Sequence, residues 1–441
     1  MSEEKLVPKL RFASYSNEWE SHKLGDILTF YSTNSFSREK LNYEIGNVKN
    51  IHYGDIHTKF PTILSISGNK DVPYINNDVD FSKYKNEQYL QEGDLIIADA
   101  SEDYADIGKA IEVKDIHDEK VLAGLHTILA RDEKNMTING FKGYLFLTED
   151  LKTNIKRIAN GISVLGISKN NLSKLSVNIP TKNEQQKIVD FISAIDKKIE
   201  LLEDKYIYYQ DFKKYLMQQI FAQKLRFDNS SIIQKEIRLG DVISIINKRN
   251  KNNDKLPVLS ISNKFGFISQ TEQFEDREVA SSDKKNYKIV NNGEFAYNPA
   301  RINVGSIAQL KNYDKGIISP MYIVFKIDSN ELDPIFFENF LDSDYFRHEM
   351  LKRLEGSVRM ILSAESLKNI KLTIPSIEEQ KKISEIFLSF DKKIDITKYQ
   401  LDNMKEFKKG LLQQMFVYIV RPILLNFCAK ICCIKYFLKL R

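Results

Sequence analysis

Two polar stretches of the chain carry side chains that could hydrogen-bond to nucleic-acid bases. The first stretch is 99–109 and the second is 297–306, and each follows a short apolar run. Arginine pairs well with guanine, asparagine with adenine, and acidic side chains with the amino group of cytosine. We predict base contacts from Asp99, Ser101, Tyr104, Lys109, Asn298, Arg301, Asn303 and Ser306. For any one of these residues, an ordinary solvated loop is the alternative.

A set of basic residues could contact the phosphates beside such bases. These are Lys142, Lys152, Lys156, Arg157, Lys352, Arg353 and Arg359. Phosphate contacts position a protein on DNA without reading its sequence. A solvated helix face accounts for each of these residues about as well.

Signals for catalysis, metal binding and cofactor binding are missing from the sequence. No Gly-x-x-x-x-Gly-Lys-Ser/Thr loop occurs, and no Gly-x-Gly-x-x-Gly follows a predicted strand. His52 and His57 lie five positions apart, which is a weak metal-binding pattern. The segment 298–301 resembles the Asn-Pro-Pro-aromatic loop of adenine methyltransferases, but it lacks the second proline and the aromatic residue. We therefore predict no catalytic residue, no metal ligand and no cofactor bound by this chain.

The elements that would position these stretches belong to an internal repeat. Lys9–Phe12 recurs as Lys224–Phe227, at an offset of 215. Farther along, 16 of the 42 positions in Pro180–Phe221 are identical to Pro375–Phe416, at an offset of 195. Matched ends around divergent middles indicate one architecture that performs the same task on two targets. A structural duplication followed by sequence drift is the alternative.

The second matched segment of each repeat predicts a helix of about 40 residues. Thr181 with Glu184, and Ser376 with Glu379, match the Ser/Thr-x-x-Glu capping box that begins many helices. Beyond the opening proline, neither segment contains proline.

Apolar residues in both predicted helices recur at the 4-3 spacing of a coiled coil. The predicted helix core consists of Ile188, Ile192, Ile195, Ile199, Leu202, Ile383, Phe387, Phe390, Ile394 and Leu401. The pattern is interrupted at Lys213 and Lys408. We expect the helices to pair antiparallel, and a helix of this length spans about 60 Å, or roughly 17 base pairs. A coiled-coil hairpin used for oligomerisation is the alternative.

The divergent middles predict two mixed α/β domains, which places the whole chain in the α+β class. Predicted strands are Leu95–Ala98, Val121–Leu129, Tyr144–Leu147, Leu256–Ser262, Ile289–Val290, Ser306–Leu310 and Met321–Ile327. Predicted short helices are Leu332–Leu341 and Tyr345–Leu354.

Charge and cysteine are concentrated in the last residues. The 441-residue chain has a net charge of +5, and positions 416–441 hold five basic and no acidic residues, so the rest is neutral. All three cysteines lie there too, which excludes disulfides and cysteine-rich zinc sites elsewhere. No apolar run reaches 18 residues and the first ten residues are polar, so we expect a cytoplasmic protein without a membrane span. Nucleic-acid affinity would have to come from local patches or basic partners.

These features together resemble the specificity (S) subunit of type I restriction-modification systems, over about residues 6–416. The resemblance rests on Pro8–Phe12, Glu18–Glu20, Lys23–Asp26, the Ile-Pro-x3-Glu-Gln-x2-Ile segments at 179–188 and 374–383, both Asp-Lys-Lys-Ile sequences, and Leu-x-Gln-Gln-x-Phe at 216–221 and 411–416. The loop 99–109, with His126 in the Ala-Gly-Leu-His-Thr sequence after it, resembles one type of target recognition domain. His126 therefore joins the predicted DNA contacts.

The resemblance implies a pseudo-twofold repeat with five parts. These are a first target recognition domain (1–180), a first spacer helix (181–223), a second recognition domain (224–375), a second spacer helix (376–416) and an atypical apolar, basic tail (417–441). It implies that each domain reads half of a bipartite double-stranded DNA site, with the helices as a ruler between the halves.

The implied partners are two methyltransferase (M) subunits and two restriction (R) subunits. The M subunits would bind S-adenosylmethionine and methylate adenine N6. The R subunits would use ATP and magnesium to cleave DNA. An orphan specificity subunit for a methylation-only complex, a coiled-coil scaffold without DNA, and an enzyme fused to its recognition domains are the alternatives.

Overall fold

The computed structural model describes residues 5–226, 235–269, 284–356 and 360–417. The chain forms two compact units. Unit 1 comprises Met1–Leu201 and Leu401–Arg441, and unit 2 comprises Leu202–Gln400. Each long helix therefore contributes one part to each unit. The domain boundaries given above stay a prediction, and residues 418–441 of the tail lie outside the described residues.

Unit 1 contains short strands and short helices, followed by the first long helix. The strands are β1 (Glu20–Lys23), β2 (Thr29–Tyr31), β3 (Leu41–Asn42), β4 (Lys49–Ile51), β5 (Ile63–Ser65), β6 (Tyr74–Ile75), β7 (Leu95–Ala98), β8 (Ala100–Ser101), β9 (Ala110–Lys114), β10 (Val121–Ala123), β11 (Thr127–Arg131), β12 (Leu165–Gly166) and β13 (Ser176–Ile179). The helices are α1 (Leu24–Ile27), α2 (Tyr53–Thr58), α3 (Phe141–Phe146), α4 (Glu149–Ile158), α5 (Lys169–Ser173) and the long α6 (Lys182–Phe221), with 3-10 turns at Arg38–Lys40 and Asn86–Gln88.

A five-stranded sheet of order β2-β11-β7-β9-β5 separates two apolar cores of unit 1. Successive side chains of a strand point to opposite faces. Leu95 and Ile97 of β7 therefore pack in one core, whereas Ile96 and Ala98 pack in the other. The described residues also form a four-stranded sheet of order β10-β4-β6-β3 and the strand pairs β1-β13 and β12-β8.

Unit 2 has a similar composition of elements. Its described strands are β14 (Lys235–Arg238), β15 (Ile243–Ile246), β16 (Val258–Ser262), β17 (Gly266–Ser269), β18 (Lys288–Asn291), β19 (Phe295–Tyr297), β20 (Ile307–Gln309), β21 (Lys315–Ile318), β22 (Ile323–Ile327) and β23 (Lys371–Ile374). Its described helices are α7 (Pro334–Leu341), α8 (Asp344–Leu351), α9 (Ala364–Lys368) and the long α10 (Ile377–Met415), with 3-10 turns at Leu239–Asp241 and Ile302–Val304.

Two four-stranded sheets organise unit 2, in the orders β15-β22-β19-β20 and β17-β16-β21-β18. Strand β19 again separates two cores, since Phe295 and Tyr297 pack in one and Ala296 packs in the other. The repeat is also visible in a strand pair at the end of each domain. Glu20 lies opposite Ile179 in β1-β13, and their repeat counterparts Lys235 and Ile374 lie opposite each other in β14-β23.

The α+β class is confirmed, and the predicted elements differ in detail at their ends and at three further places. Tyr144–Leu147 is wrong as a strand, because Tyr144 lies in α3, all six of whose residues are buried. A short apolar run cannot distinguish a buried helix from a buried strand. Val121–Leu129 splits at residues 124–126 into β10 and the start of β11. The capping box is wrong at Glu184, whose carboxylate instead accepts two 2.7 Å hydrogen bonds from Arg11.

The long helices lie antiparallel within unit 1. Trp19 contacts both Glu184, near the start of α6, and Phe416, just after the end of α10. Asp196, three turns farther along α6, contacts Lys408, two turns back along α10. The contacts therefore advance along one helix as they retreat along the other.

Unit 2 contains the corresponding antiparallel contacts. Phe212 packs against Phe390, with ring centroids 5.4 Å apart, and Lys213 pairs with Asp391. Earlier in α6, Tyr206 lies under the ammonium group of Lys398, later in α10. The predicted helix-core residues are buried or half-buried, and the most enclosed are Ile188, Ile192, Ile383 and Phe387.

Candidate nucleic-acid interface

The turn between β10 and β11 presents His126 at the surface of unit 1. The backbone approaches closely at Gly124, where an added Cβ would lie 2.7 Å from the carbonyl oxygen of Ile51. His126 adopts a left-handed conformation, with φ of 54°. Its side chain remains 51% exposed. A glycine and a left-handed residue thus turn this imidazole out of the sheet.

An aromatic cluster surrounds that imidazole. The ring of Tyr53, on α2, lies 5.3 Å from the ring of His126, 4.7 Å from that of His52 and 6.0 Å from that of His57. Burial lowers the pKa of His52, and Arg38 adds to this effect. These contacts make the cluster an aromatic platform with one exposed edge.

Asp99 is the predicted residue most closely joined to His126. Its carboxylate lies 3.4 Å from Nδ1 of His126, and its backbone N–H donates to the carbonyl of His126. Burial raises the pKa of Asp99, while the imidazole of His126 opposes that rise. The carboxylate of Asp99 can accept a hydrogen bond from a ligand, and the imidazole of His126 can donate or accept one.

The other predicted residues of this loop take different roles. Ser101 is buried, and its hydroxyl bonds to the backbone of Asp103, so it shapes the loop. Lys109 donates to the carbonyl of His57 at 2.7 Å. Tyr104 is 55% exposed and lies under the ammonium group of Lys156, 5.6 Å from its ring centroid.

The predicted phosphate contacts separate into exposed and buried residues. Lys142 is wrong as a phosphate contact in this conformation, because it is buried and pairs with Glu112 at 2.9 Å. Lys152 is half-buried on α4, one turn before Lys156, and burial and that neighbour lower its pKa. Arg157, Lys352 and Arg353 are on accessible helix ends, and the last two pair with Glu349.

Two pairs of residues around α2 border this cluster, and sequence reasoning missed them. Arg38 binds both carboxylate oxygens of Asp55, and Lys59 lies 4.6 Å over the ring of Tyr43. Their partners lie 16 and 17 positions away, a separation that no periodic pattern marks.

The second predicted loop follows β19 in unit 2 and is closely held. Asn298 is buried, its N–H donates to the carbonyl of Ser306, and its Oδ1 accepts from the N–H of Ala300. Ser306 is buried too, and its hydroxyl donates to the carbonyl of Ile261. Arg301 is exposed between these anchors.

Asn303 is exposed next to Arg301 and borders a cavity of about 740 Å³. The β16-β17 hairpin also lines this cavity, and there the ammonium group of Lys264 lies 5.3 Å over the ring of the 68% exposed Phe265. Basic groups around a concave surface suit contact with the phosphates of a nucleic acid. Arg359, the remaining predicted residue, lies outside the described residues.

The part of the chain that the structure describes contains no group of three or more His, Cys, Asp or Glu residues placed to hold a metal ion. His52 accepts from the N–H of Gly54, and His57 bonds to the carbonyl of Ala100, so the two histidines serve the local backbone. Within the same described ranges, no helix is both long enough and apolar enough to cross a membrane.

Comparison with known proteins identifies the family. A family model for the type I restriction modification DNA specificity domain matches residues 16–208 and again residues 234–406. The type I restriction enzyme MjaVIII specificity subunit of Methanocaldococcus jannaschii is 24% identical over 325 residues, covering 68% of this chain and 75% of that protein. The putative MjaX specificity subunit from the same organism is 23% identical over 446 residues, covering 95% and 97%.

A solved structure supports the fold. The S subunit of a type I restriction-modification system from M. genitalium aligns with a TM-score of 0.54 at 15% identity, covering 94% of this chain and 100% of that one. At this identity the likeness concerns the fold. With the family model matched twice along the chain, the conclusion is direct: this protein belongs to the type I restriction modification DNA specificity family, as a specificity subunit with two DNA recognition domains.

Proposed function

We propose that units 1 and 2 each read one half of a bipartite DNA site. One observation carries this proposal: each unit places a polar loop directly after a buried central strand, β7 or β19, and the loops differ while the repeated ends agree. Two domains with matching ends but different loops suit the recognition of two different half-sites.

Residue roles follow from exposure. In unit 1, His126, Asp99 and Tyr104 contact bases, and Lys152 and Lys156 contact phosphates. In unit 2, Arg301 and Asn303 contact bases, and the hairpin with Lys264 and Phe265 borders the DNA. The buried Ser101, Asn298 and Ser306 hold the loops instead of touching bases. Exposed polar groups can exchange water for base edges at low cost, whereas buried groups already bonded to backbone cannot.

The chain acts without catalysing a reaction and without a cofactor of its own. Two M subunits bind S-adenosylmethionine and methylate adenine N6, and two R subunits use ATP and magnesium for cleavage. The long helices set the length of the non-specific spacer between the half-sites. Inserting seven residues into each helix adds about 10 Å, and at about 3.4 Å per base pair the spacer should lengthen by roughly three pairs.

The test is to express the chain with its M subunit and to map methylated adenines across the host genome. We expect one bipartite motif. Tyr104→Ala should relax the half read by unit 1, and Arg301→Ala should relax the half read by unit 2 by about 1–3 kcal/mol of discrimination. Lys326→Ala, on the exposed surface of β22, is the control and should leave the motif unchanged. Absence of a bipartite motif, or changes in both halves from one substitution, would refute the assignment.

A further inference from the structure

Two equivalent ion pairs join the long helices. In unit 1, Nζ of Lys408 lies 2.5 Å from the carboxylate of Asp196. In unit 2, Nζ of Lys213 lies 2.5 Å from the carboxylate of Asp391. Both lysine side chains are only 17% exposed. Each residue of the first pair is a repeat counterpart of a residue in the second, 195 positions away.

These lysines are the positions at which the 4-3 pattern of apolar residues is interrupted. The ammonium group of Lys408 lies 5.5 Å over the ring of Tyr144, and that of Lys213 lies 6.0 Å over the ring of Phe387. The hydroxyl of Tyr144 donates to Asp196 at 2.9 Å. The charges are therefore half-buried, and in unit 1 a residue of the recognition domain holds the acidic partner in place.

The two pairs define the same antiparallel register. Seventeen residues forward along α6, from Asp196 to Lys213, correspond to seventeen residues backward along α10, from Lys408 to Asp391. If the helices instead lay parallel, with each residue beside its repeat counterpart, Asp196 would lie beside Asp391, and Lys213 beside Lys408. Each pair would then join like charges, which is unfavourable in a partly buried seam.

A slip of one heptad within the antiparallel arrangement is disfavoured as well. In one direction it would set Asp196 beside Leu401 and Lys408 beside Val189, so that both charges would lose their partners and face apolar groups. In the other direction Lys408 would meet Glu203, but Asp196 would face Met415 and Lys213 would face Lys398. Polar residues at a seam are a known means of fixing the register of paired helices.

We infer that Asp196–Lys408 and Lys213–Asp391 fix the register of the long helices and thereby the DNA spacer length that the subunit accepts. This inference rests on the proposed ruler function. Apolar contacts alone repeat every heptad and so tolerate slips of about 10 Å. That distance corresponds to roughly three base pairs at about 3.4 Å each. The ion pairs occur once in each unit and remove this ambiguity.

The experiment uses the full chain with its M subunit and measures methylation of DNA probes that differ only in spacer length. The wild type should strongly prefer one spacer. Lys408→Met and Lys213→Met keep the apolar stems and the fold while removing both ammonium groups. We take each pair to contribute a free energy near the upper end of the range for partly exposed ion pairs. Removing one pair should then reduce the preference for the wild-type spacer over a spacer three base pairs longer or shorter by about fivefold.

Charge reversal supplies the decisive comparison. Asp196→Lys should reduce spacer preference, and adding Lys408→Asp should restore it, because the reversed pair has the same geometry. Asp204→Lys, at an exposed position of α6, is the matched control and should keep the wild-type preference. Unchanged spacer preference in the methionine variants, or failure of the second reversal to restore it, overturns the inference. Absence of a bipartite motif with the wild type would instead refute the proposed function.

Discussion

Replacing Gln185 by alanine should remove one of the strongest attachments of the first long helix to its domain. This side chain is fully buried. Its Oε1 accepts from the N–H of Ile138 at 3.0 Å, and its Nε2 donates to the carbonyls of Met136 and Pro180 at 3.1 and 2.9 Å. One amide thus satisfies three backbone groups.

The expected loss follows from those three bonds. Each hydrogen bond contributes about 1 kcal/mol net, and a buried partner left unsatisfied costs at least as much, so Gln185→Ala should lower the free energy of unfolding by about 3 kcal/mol. Gln186→Ala is the matched control, since its bond to Asp190 is exposed and should contribute less than about 0.5 kcal/mol. Gln380, the repeat counterpart, bonds to Asp333, Glu331 and Pro375 in the same way.

The assay is equilibrium unfolding in urea, followed by two signals. Trp19 is the only tryptophan, and its indole contacts Glu184 and Phe416, so its fluorescence reports on unit 1. Circular dichroism reports on helices of both units. Gln185→Ala should lower the fluorescence midpoint, whereas Gln380→Ala should lower the dichroism midpoint and change the fluorescence less. A Gln185→Ala midpoint equal to that of Gln186→Ala would refute the reasoning.

Three further predictions concern charge and the end of the chain. His126→Ala should raise the pKa of Asp99 further, because the imidazole opposes the effect of burial; a carboxyl NMR titration measures this. Hydrogen bonding from Lys352 lowers the pKa of Glu349, so its stabilising contribution should be present above the ordinary carboxyl pKa and disappear as pH falls through the folded value; unfolding of Glu349→Gln against pH checks this. Removing residues 417–441 should leave target methylation intact, as measured by methylome sequencing.

Much of the fold could be predicted because the two halves of the chain can be compared with each other. The internal repeat locates both long helices, and short apolar runs locate strands such as β7 and β16. The segment Tyr144–Leu147 failed because four apolar residues fit a buried helix as well as a buried strand. Glu184 failed for another reason: a distant Arg11 competes for its carboxylate, and local patterns carry no information about such partners.

The candidate interface could be predicted as loops but not as individual contacts. Sequence identifies 99–109 and 297–306 as polar, yet it cannot say which hydroxyls and amides are used internally. Ser101 and Asn298 bond to backbone groups within a few residues, as short polar side chains commonly do in loops. Tyr53 was missed because its role arises from a platform that α2 and the β10-β11 turn assemble together.

The identities retained between the two halves have a common physical basis. Gln185 and Gln380 bond only to backbone groups of their domains, and backbone groups are the same whatever side chains surround them. Asp196 pairs with Lys408 across the helices, as Asp391 does with Lys213, and in unit 1 Tyr144 of α3, outside the loop 99–109, also bonds to Asp196. A recognition domain can therefore change the loop after its central strand while keeping the same attachment of the long helix. Divergent middles between matched ends are the expected result of that independence.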